Sequence, residues 1–470
     1  MNRPETVFLA AALLFILPAA AAANAGPTYW PGHPSATIMS VDAHSPISVE
    51  REDLIFDFSE QIDSDYTLGG RVTASYEMLN PTNRPQQVQM AFPFVGRLGD
   101  LPSVEIEITA DGKTVPYEIY PGDVVNNYGH PGVKAKEAGF AFANIVNTIT
   151  EDLYEAQNFA ADEKGKLYTL KVRPTGAERI NFAVDFAFDS AQTKILSSGF
   201  DRYERNESET RIAAWCYEPK TLELLVLGND IALNTSAYAD GELGEKTNLY
   251  SCQILSEEVA FKPYFMNYIK NHTSAASGMI SDSQLYNLYA KSLDKSFTQN
   301  MGFSCEHDLT GQEHYRRIIT LVYQVDFPAH SQKEVSVSYH TLGTMDMTKT
   351  ASPLYTFDYI LNPAQNWSSF NNLHIEIITP ARAPYIVDSN IDFAKKPGSN
   401  TYTATLADLP QADLFFTLYS KEKITLLDRL QGKFIRNLGY LAPLLLGTAA
   451  ILIISVLFAS RLVSWTKKSL

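Results

Sequence analysis

Short runs in which apolar and polar residues alternate recur along most of the chain, and this period of two predicts β-strands. In the first half the runs lie at 48–58, 71–79, 88–94, 104–108, 115–119, 167–172, 180–188, 212–217 and 222–227. In the second half they lie at 318–327, 334–339, 354–360, 373–378, 402–406 and 414–419. Turn residues such as Asp111-Gly112 separate neighbouring runs, which is typical of antiparallel sheets. Pro93 lacks an amide hydrogen, so we expect its strand at a sheet edge or at a bulge.

Two segments show the helical period instead. Residues 283–293 place Leu285, Leu288, Tyr289 and Leu293 on one stripe, and residues 140–159 place apolar side chains at similar spacing. Together these elements predict a mainly β fold with two antiparallel β-sandwich-like domains, a helical insert and one C-terminal transmembrane helix. We expect the first sandwich at 26–230, a mixed segment with short helices at 231–315, and the second sandwich at 316–420.

The C-terminal end carries the clearest apolar signal. Residues 438–460 contain no charge, and a helix of that length spans about 34 Å, which exceeds a hydrocarbon core of about 30 Å. We therefore predict a transmembrane helix at 438–460, preceded by a juxtamembrane linker at 421–437 and followed by a basic tail at 461–470. The pair Lys467-Lys468 fits a basic stop-transfer flank, and it also resembles a dilysine retrieval signal of eukaryotic membrane proteins.

The N-terminal end has the features of a signal peptide. An apolar run at 7–17 is too short to span a bilayer comfortably, and it is followed by small residues that end in Ala23-Asn24-Ala25. We predict a signal peptide at 1–25; an uncleaved anchor is the alternative. Removal of the signal would leave an extracytoplasmic ectodomain on a single-pass type I protein of the cell membrane, with the basic tail inside.

Charge and composition narrow the classes of partner. The net charge is −15, and the segment after residue 436 contributes only cations, so the predicted ectodomain is strongly acidic. Nucleic acid would be repelled by such a surface, and we expect no nucleic-acid partner.

The chain has three cysteines, Cys216, Cys252 and Cys305, so at least one thiol lies outside any intramolecular disulfide. A Cys216–Cys252 bridge is one option in an exported chain.

Metal-ligand residue types are densest around Cys305. This thiol, His307 and His314 could supply three zinc ligands, but no Cys-x-x-Cys or His-Glu-x-x-His spacing is present, and a polar loop before the next strand is the alternative. No nucleotide-binding loop, nucleophile elbow or cofactor motif is present, so we expect no cofactor.

Aromatic residues could line a glycan-binding face or fill the sandwich cores instead; the candidates are Tyr286, Tyr289, Trp367, Phe370 and Tyr385.

The segment 71–119 resembles the first sheet of a group of exported bacterial proteins of uncharacterised function. The elements that carry the resemblance are Asn80-Pro81, Phe92-Pro93-Phe94 and Asp111-Gly112. The same outline resembles, more distantly, the vault/inter-alpha-trypsin domain, which is another β-sandwich. That domain is usually followed by a metal-binding adhesion domain with an Asp-x-Ser-x-Ser signature, and no such signature occurs downstream here. The resemblance implies a sandwich fold on an exported protein, without an assigned catalytic residue.

These observations favour a membrane-anchored extracytoplasmic β-sandwich protein that acts by binding or scaffolding at the cell surface. We expect the membrane as a partner through the C-terminal helix, and a protein or a glycan as the second partner. The alternative is a membrane-anchored hydrolase whose carboxylates or metal ligands are dispersed along the sequence.

Overall fold

The computed structural model describes residues 29–438 of the 470-residue chain, except 33, 43, 60–65, 126–144, 147 and 274–277. For residues 362 and 433–438 it describes the backbone alone. The predicted signal peptide 1–25, the tail 461–470 and all of the predicted transmembrane stretch 438–460 except its first residue lie outside these ranges. Within them, no helix combines the length and the apolar character needed to cross a bilayer.

The described strands form three consecutive groups. The first group is β1 (Tyr29–Trp30), β2 (Ser35–Ala36), β3 (Met39–Ser40), β4 (Ser48–Asp57), β5 (Gly69–Leu79), β6 (Gln86–Gly96), β7 (Glu107–Ala110), β8 (Lys113–Thr114) and β9 (Glu118–Val124). The second is β10 (Lys164–Pro174), β11 (Ile180–Ala187), β12 (Thr193–Ser198), β13 (Arg202–Asn206), β14 (Glu209–Cys216), β15 (Lys220–Gly228), β16 (Asn234–Tyr238), β17 (Tyr250–Ala260) and β18 (Phe303–Cys305). The third is β19 (Arg317–Phe327), β20 (Gln332–Leu342), β21 (Thr344–Asp346), β22 (Leu354–Ile360), β23 (Asn371–Ile378), β24 (Tyr385–Ser389), β25 (Ala394–Lys395), β26 (Thr401–Asp408) and β27 (Leu414–Tyr419).

Helices are fewer, and the two longest helices with described side chains throughout lie between β17 and β18. The described α-helices are α1 (Leu101–Val104), α2 (Phe261–His272), α3 (Asp282–Gln299), α4 (Glu306–Thr310) and α5 (Leu426–Leu438). Short 3₁₀ turns occur at Leu98–Asp100, Gly311–Glu313 and Asn362–Asn366. The mainly β character expected from the sequence is confirmed.

The first and third groups of strands together build two sheets, which we call the main sandwich. One sheet has ten strands, in the order β1-β21-β22-β2-β6-β19-β9, with β3, β24 and β27 attached beside this path. The other has eight, in the order β25-β26-β23-β4-β5-β20-β7-β8. The long central pairs join opposite ends of the chain, because β6 is antiparallel to β19 and β5 is antiparallel to β20.

This pairing differs from the predicted division into one sandwich at 26–230 and another at 316–420. Strands from both predicted domains enter both sheets of the main sandwich. The chain leaves this unit after β9 and returns at β19, where Val125 N donates to Arg316 O at 2.8 Å. The period of two identifies which face of a strand is buried but not which strand lies next to it. The sequence pattern therefore could not show that strands from the two ends of the chain pair with each other.

The core of the main sandwich is aromatic. Phe56 and Phe58 of the eight-stranded sheet contact Phe357, Tyr359 and Phe416 of the ten-stranded sheet, with ring centroids 4.4–6.2 Å apart. All five side chains are at most 4% exposed. Edge-to-face and tilted ring pairs of this kind add to the stabilisation that apolar burial supplies.

A single carboxylic acid lies among these rings. Glu52 is 0% exposed, and its Oε1 accepts a 3.4 Å hydrogen bond from the Tyr359 hydroxyl. The Tyr359 and Tyr76 hydroxyl oxygens are 3.3 Å apart, and Tyr76 in turn lies 3.0 Å from Thr37 Oγ1. This short chain of hydroxyl groups therefore connects a buried acid to the polar side chain of Thr37.

The second group of strands forms a smaller unit, which we call the inserted sandwich. Its sheets have the orders β17-β10-β15-β12-β18 and β13-β14-β11-β16. Their facing side chains, among them Leu170, Phe182 and Leu224, make a separate apolar core. The opposite face of the five-stranded sheet contributes Leu167 and other leucines to the apolar cluster that also contains the buried side chains of α2 and α3. The helices thus lie between the two sandwiches.

Two other sequence-based expectations differ from the structure. The pairs β2–β22, β4–β23 and β12–β18 are parallel, so the sheets are mixed rather than wholly antiparallel. Pro93 is not on an edge strand, since β6 lies between β19 and the short strands β2 and β3. Strand β2 pairs with Phe94, and strand β3 pairs with Met90 and Ala91. Pro93 lies between these two paired stretches, so its missing N–H removes no hydrogen bond to either short strand.

The two predicted helical segments have different outcomes. The stripe at 283–293 lies within α3, which agrees with the prediction. The predicted helix at 140–159 is partly outside the described ranges. Residues 145, 146 and 148 are helical, whereas from residue 149 to 159 the described backbone contains no helix. The mixed segment 231–315 contains α2, α3 and α4, and also the eleven-residue strand β17, which the sequence reasoning missed. Most of β17 is exposed on both faces, and its side chains therefore lack the alternation that marks a half-buried strand.

Candidate functional site: a polar groove beside helix α3

A groove of about 1160 Å³ lies where the main sandwich meets the helices. Helix α3 forms one side, and the ends of β9 and β19, the segment 148–154 and helix α4 form the others. This volume is slightly above the usual range for small-molecule sites in proteins, roughly 300–1,000 Å³. The lining side chains include Asp123, Asp152, Tyr154, Asn287, Lys291, Lys295, Gln299, His307, Asp308, Gln312, Tyr315 and Arg317.

Helix α3 has an apolar face that fixes its orientation. It begins after Ser281, whose Oγ accepts from Gln284 N at 3.4 Å and so caps the first turn. Leu285, Tyr289 and Leu293 are at most 2% exposed and pack in the core. Residues 291, 295 and 299, at helical spacing on another face, are exposed and line the groove. The helical period that buries the leucines therefore also presents a polar stripe to the groove.

Side chains of α3 hold the segment 148–158 in place. Gln284 Nε2 donates to Thr150 O at 2.7 Å, and Asn287 Oδ1 accepts from Tyr154 N at 2.7 Å. Asn287 Nδ2 also donates to Asp152 O at 2.8 Å. These side chains bond main-chain groups, so they fix the path of the opposite wall of the groove rather than the rotamers of its side chains.

Asp294 extends the same attachment. Its carboxylate accepts hydrogen bonds from Gln157 N at 3.0 Å, from Asn158 N at 2.9 Å and from the Tyr154 hydroxyl at 2.9 Å. Burial by itself would raise the pKa of Asp294, but these hydrogen bonds favour the ionised form and hold the pKa below its usual value. The carboxylate is therefore charged at neutral pH and ties α3 to the segment that bounds the groove.

Arg317 is the most unusual charged residue of the groove. It is 2% exposed, and its Nη1 donates to Gly122 O at 3.0 Å while Nη2 donates to Gln312 O at 3.1 Å and to Gln312 Oε1 at 3.3 Å. Its Nε has no hydrogen-bond partner among the described residues. Burial lowers the pKa of Arg317 to about 10, so the side chain is cationic at neutral pH.

Other charges in the groove are partly neutralised. Lys291 Nζ lies 3.0 Å from Asp123 Oδ1, and both side chains are mostly exposed. Asp308 Oδ2 accepts from Cys305 N at 3.0 Å, from Ser296 Oγ at 3.2 Å and from Ser304 Oγ at 3.3 Å. In the part of the chain that the structure describes, Lys295 forms no ion pair.

The metal candidates of the sequence occupy different surroundings. Cys305 precedes α4, where its main-chain N–H is bonded by Asp308, and burial raises the pKa of its thiol. His307 is exposed and lines the groove, whereas His314 follows the turn Gly311–Glu313 and is not among the groove residues. Among the described residues, no group of three or more His, Cys, Asp or Glu side chains is arranged to hold a metal ion. The structure thus does not bring these three residues together as a zinc site.

The remaining sequence candidates also lie apart from the groove. Cys216 and Cys252 are both free thiols. Tyr286, Tyr289 and Trp367 are at most 5% exposed and belong to the core, so the proposed glycan-binding face does not form from them. The aromatic residues that line the groove are Tyr154 and Tyr315, and Tyr315 is 49% exposed.

Sequence reasoning missed Arg317 and Lys295 for a physical reason. The lining comes from four separate stretches of chain, at 121–124, 148–154, 284–300 and 307–317. Arg317 stands at the start of an apolar strand, where a cation is expected to point into solvent. In the structure β19 pairs with β6 on one side and with β9 on the other, and its first seven residues, Arg317 included, are all buried.

Comparison with known proteins adds little. No protein-family model matches the sequence, and no curated protein matches it. Among solved structures, the chain is similar to a crystal structure from Legionella pneumophila described as a "putative nutrient binding protein", with 10% sequence identity and a TM-score of 0.35. That alignment covers 84% of this chain and 73% of the other. Similarity at this level carries no argument about function.

Proposed function

We propose that the protein is a membrane-anchored extracytoplasmic binding protein whose groove takes a polar ligand with an anionic group, either a carboxylate or a phosphate. The observation that carries the proposal is the buried Arg317 guanidinium. It lines the groove, and none of its hydrogen bonds in the described structure goes to a carboxylate.

A buried cation whose hydrogen bonds go only to neutral groups is costly. Carbonyl and amide oxygens satisfy part of its hydrogen-bonding capacity, and Asp123 offsets its charge only through space, without a hydrogen bond. A carboxylate or phosphate in the groove would compensate that charge, and the planar guanidinium suits the geometry of both groups. Lys295 adds a second cation without an ion pair in the described part of the chain, on the α3 stripe that lines the same groove.

Two acids of the groove are already engaged by neighbouring groups. Asp123 is paired with Lys291, and Asp308 accepts three hydrogen bonds. Carboxylates held in this way shape the groove, and these two fit a binding role better than that of a general base. The alternative function, a hydrolase with a dispersed carboxylate or metal site, would require ligand conversion, which mass spectrometry of the bound compound would detect.

The membrane part of the proposal rests on the sequence. The support comes from the apolar stretch 438–460 with its basic flank and from the signal-like residues 1–25. The resemblance of 71–119 to exported bacterial sandwich proteins supports the same extracytoplasmic location. Flotation of the full chain with liposomes, and protection of the tail 461–470 from added protease, would test anchoring and orientation.

Ligand class can be tested on the full chain in detergent micelles. Thermal-shift screens would compare dicarboxylates, phosphorylated sugars and the matching neutral sugars, and calorimetry would then measure the affinity of each hit. We expect anionic compounds to raise the unfolding midpoint and their neutral counterparts to leave it unchanged. Equal effects of phosphorylated and neutral sugars would refute the anionic requirement, and so would the absence of any effect from anionic compounds at millimolar concentration.

Variants assign the binding to the groove. Arg317→Gln should weaken the affinity for the best anionic hit by more than about tenfold, because a hydrogen bond to a charged group contributes about 1.5–3 kcal/mol. Lys295→Ala, an exposed change that should not affect folding, should weaken it by about two- to fivefold. Lys113→Ala is the matched control, since Lys113 is exposed on the hairpin strand β8 and does not line the groove.

A further inference from the structure

Helix α5 follows the last strand of the main sandwich and ends where the uncharged stretch 438–460 begins. Near its start it exposes three large apolar side chains. Leu426, Leu427 and Leu430 are 78%, 63% and 64% exposed. Exposed leucines clustered on one helix indicate a surface that another apolar phase covers.

The opposite side of the same helix is attached to the sandwich. Asp428 is 1% exposed, and its carboxylate accepts from Lys421 Nζ at 2.5 Å, from Thr425 N at 3.0 Å and from Thr425 Oγ1 at 2.7 Å. The ionised form is favoured by these bonds, with Lys421 making the largest contribution, and the pKa of Asp428 is held well below its usual range. The first turn of α5 is therefore capped and fixed at neutral pH.

One turn later, a glycine brings α5 against the main chain of the sandwich. A Cβ atom built on Gly432 would lie 2.5 Å from Thr350 N and 2.7 Å from Lys349 C. Residues 428 and 432 share one face, because they are four positions apart, and positions 426 and 430 lie about half a turn away from that face. The attachment therefore points the leucines away from the sandwich.

We propose that this leucine face of α5 inserts into the outer boundary of the lipid bilayer and thereby sets the orientation of the main sandwich on the membrane. The inference rests on the proposed membrane anchor. Two observations select a bilayer as the occupant. The helix leads at Leu438 directly into the uncharged stretch, and Arg429, Lys433 and Arg436 flank the leucines in sequence. Apolar residues on one side with neighbouring cations are typical of helices that lie in the interfacial plane.

An upright arrangement is the competing geometry. If α5 continued the transmembrane helix along the bilayer normal, Leu427 would stand about 16 Å above residue 438, at 1.5 Å per residue. In the proposed arrangement, Leu427 lies at the level of the headgroups and upper acyl chains, roughly 5–10 Å into the boundary. The depth of residue 427 therefore distinguishes the two arrangements.

The experiment uses the full chain reconstituted in phosphatidylcholine vesicles that contain lipids with a nitroxide at a shallow acyl position. A fluorescent amino acid replaces Leu427, and in the control it replaces the exposed Lys113 of β8. We expect the nitroxide lipids to quench at least half of the emission at 427 and to leave the emission at 113 unchanged. Equal quenching at the two positions would overturn the proposal.

A second variant tests whether the leucines cause the insertion. With the fluorescent amino acid at 430, the changes Leu426→Ser and Leu427→Ser should reduce its quenching at least twofold, and unchanged quenching would refute a role for the leucine face. Flotation of each preparation with the vesicles tests the membrane anchor separately from the position of α5. Loss of flotation in the unmodified chain contradicts the anchor itself, whereas flotation without quenching at 427 contradicts only the inserted position of α5.

Discussion

Replacing Glu52 with glutamine should remove much of the pH dependence of the stability of the main sandwich. The acid is fully buried, and Oε2 has no hydrogen-bond partner among the described residues. Burial raises its pKa from 4.5 to about 8, and hydrogen bonds from Tyr76 and Tyr359 lower the pKa only in part. Glu52 is therefore mainly protonated in the folded protein at neutral pH.

The sign and size of the effect follow from proton linkage. The folded state binds this proton more tightly than the unfolded state, so the stabilisation is fully present below pH 4.5 and is lost as the pH rises through about 8. Each unit of pKa difference corresponds to about 1.4 kcal/mol, and the whole shift therefore corresponds to about 5 kcal/mol. Glutamine has almost the same shape as protonated glutamate but cannot ionise, so Glu52→Gln should not show this loss.

Thermal unfolding of the full chain in detergent at pH 5, 7 and 9, followed by near-ultraviolet circular dichroism, would measure the effect. We expect the midpoint of the unmodified protein to fall across this range and the Glu52→Gln midpoint to fall much less, so that the variant is the more stable protein at pH 9. Glu77→Gln is the control, because Glu77 is an exposed acid on the adjacent strand β5. Parallel pH profiles for the unmodified protein and Glu52→Gln would refute the reasoning.

Three further outcomes are expected. Asp294→Asn should weaken the hydrogen bonds that hold segment 148–158, so hydrogen exchange at residues 154–158 should rise while exchange in β5 and β20 stays constant. Because the pKa of Asp294 is lowered in the folded protein, the stabilising contribution of this carboxylate should also be lost as the pH falls through that lowered pKa. Gly432→Ala should destabilise the attachment of α5 by about 1–3 kcal/mol, and proteolysis at 421–432 should become faster. Gly278→Ala is the control and should have no such effect, because a Cβ atom at residue 278 meets no atom within 4 Å. Lys295→Ala should lower the affinity for an anionic ligand about two- to fivefold in calorimetry without changing the unfolding midpoint, and an unchanged affinity would contradict the placement of the ligand beside α3.

Much of the local structure followed from the sequence. The runs predicted at 354–360 and 414–419 are the strands β22 and β27 with the same limits, because both are short runs rich in β-branched and aromatic residues. The apolar stripe at 283–293 predicted α3, since residues three and four apart share one helix face. The mainly β character could be derived for the same reason: short-range periodicity reports which face of an element is buried.

Glu52 shows where that reasoning stops. The period of two places Glu52 on the same face as Leu54 and Phe56, and all three are buried. In the sequence, however, Glu52 reads as part of the charged run 50–53, where a strand face is expected to meet solvent. The opposing sheet covers this face as far as residue 52, and strand β4 alone does not contain that information.

The sequence by itself therefore determined the types of element, their approximate limits and the two apolar termini, because these depend on residues close together in the chain. The tertiary structure alone decided that β6 pairs with β19 around the inserted sandwich, that four distant stretches enclose the groove, and that Arg317 is buried within it. These features depend on contacts between residues far apart in sequence, and strand periodicity specifies a buried face without specifying the partner that covers it.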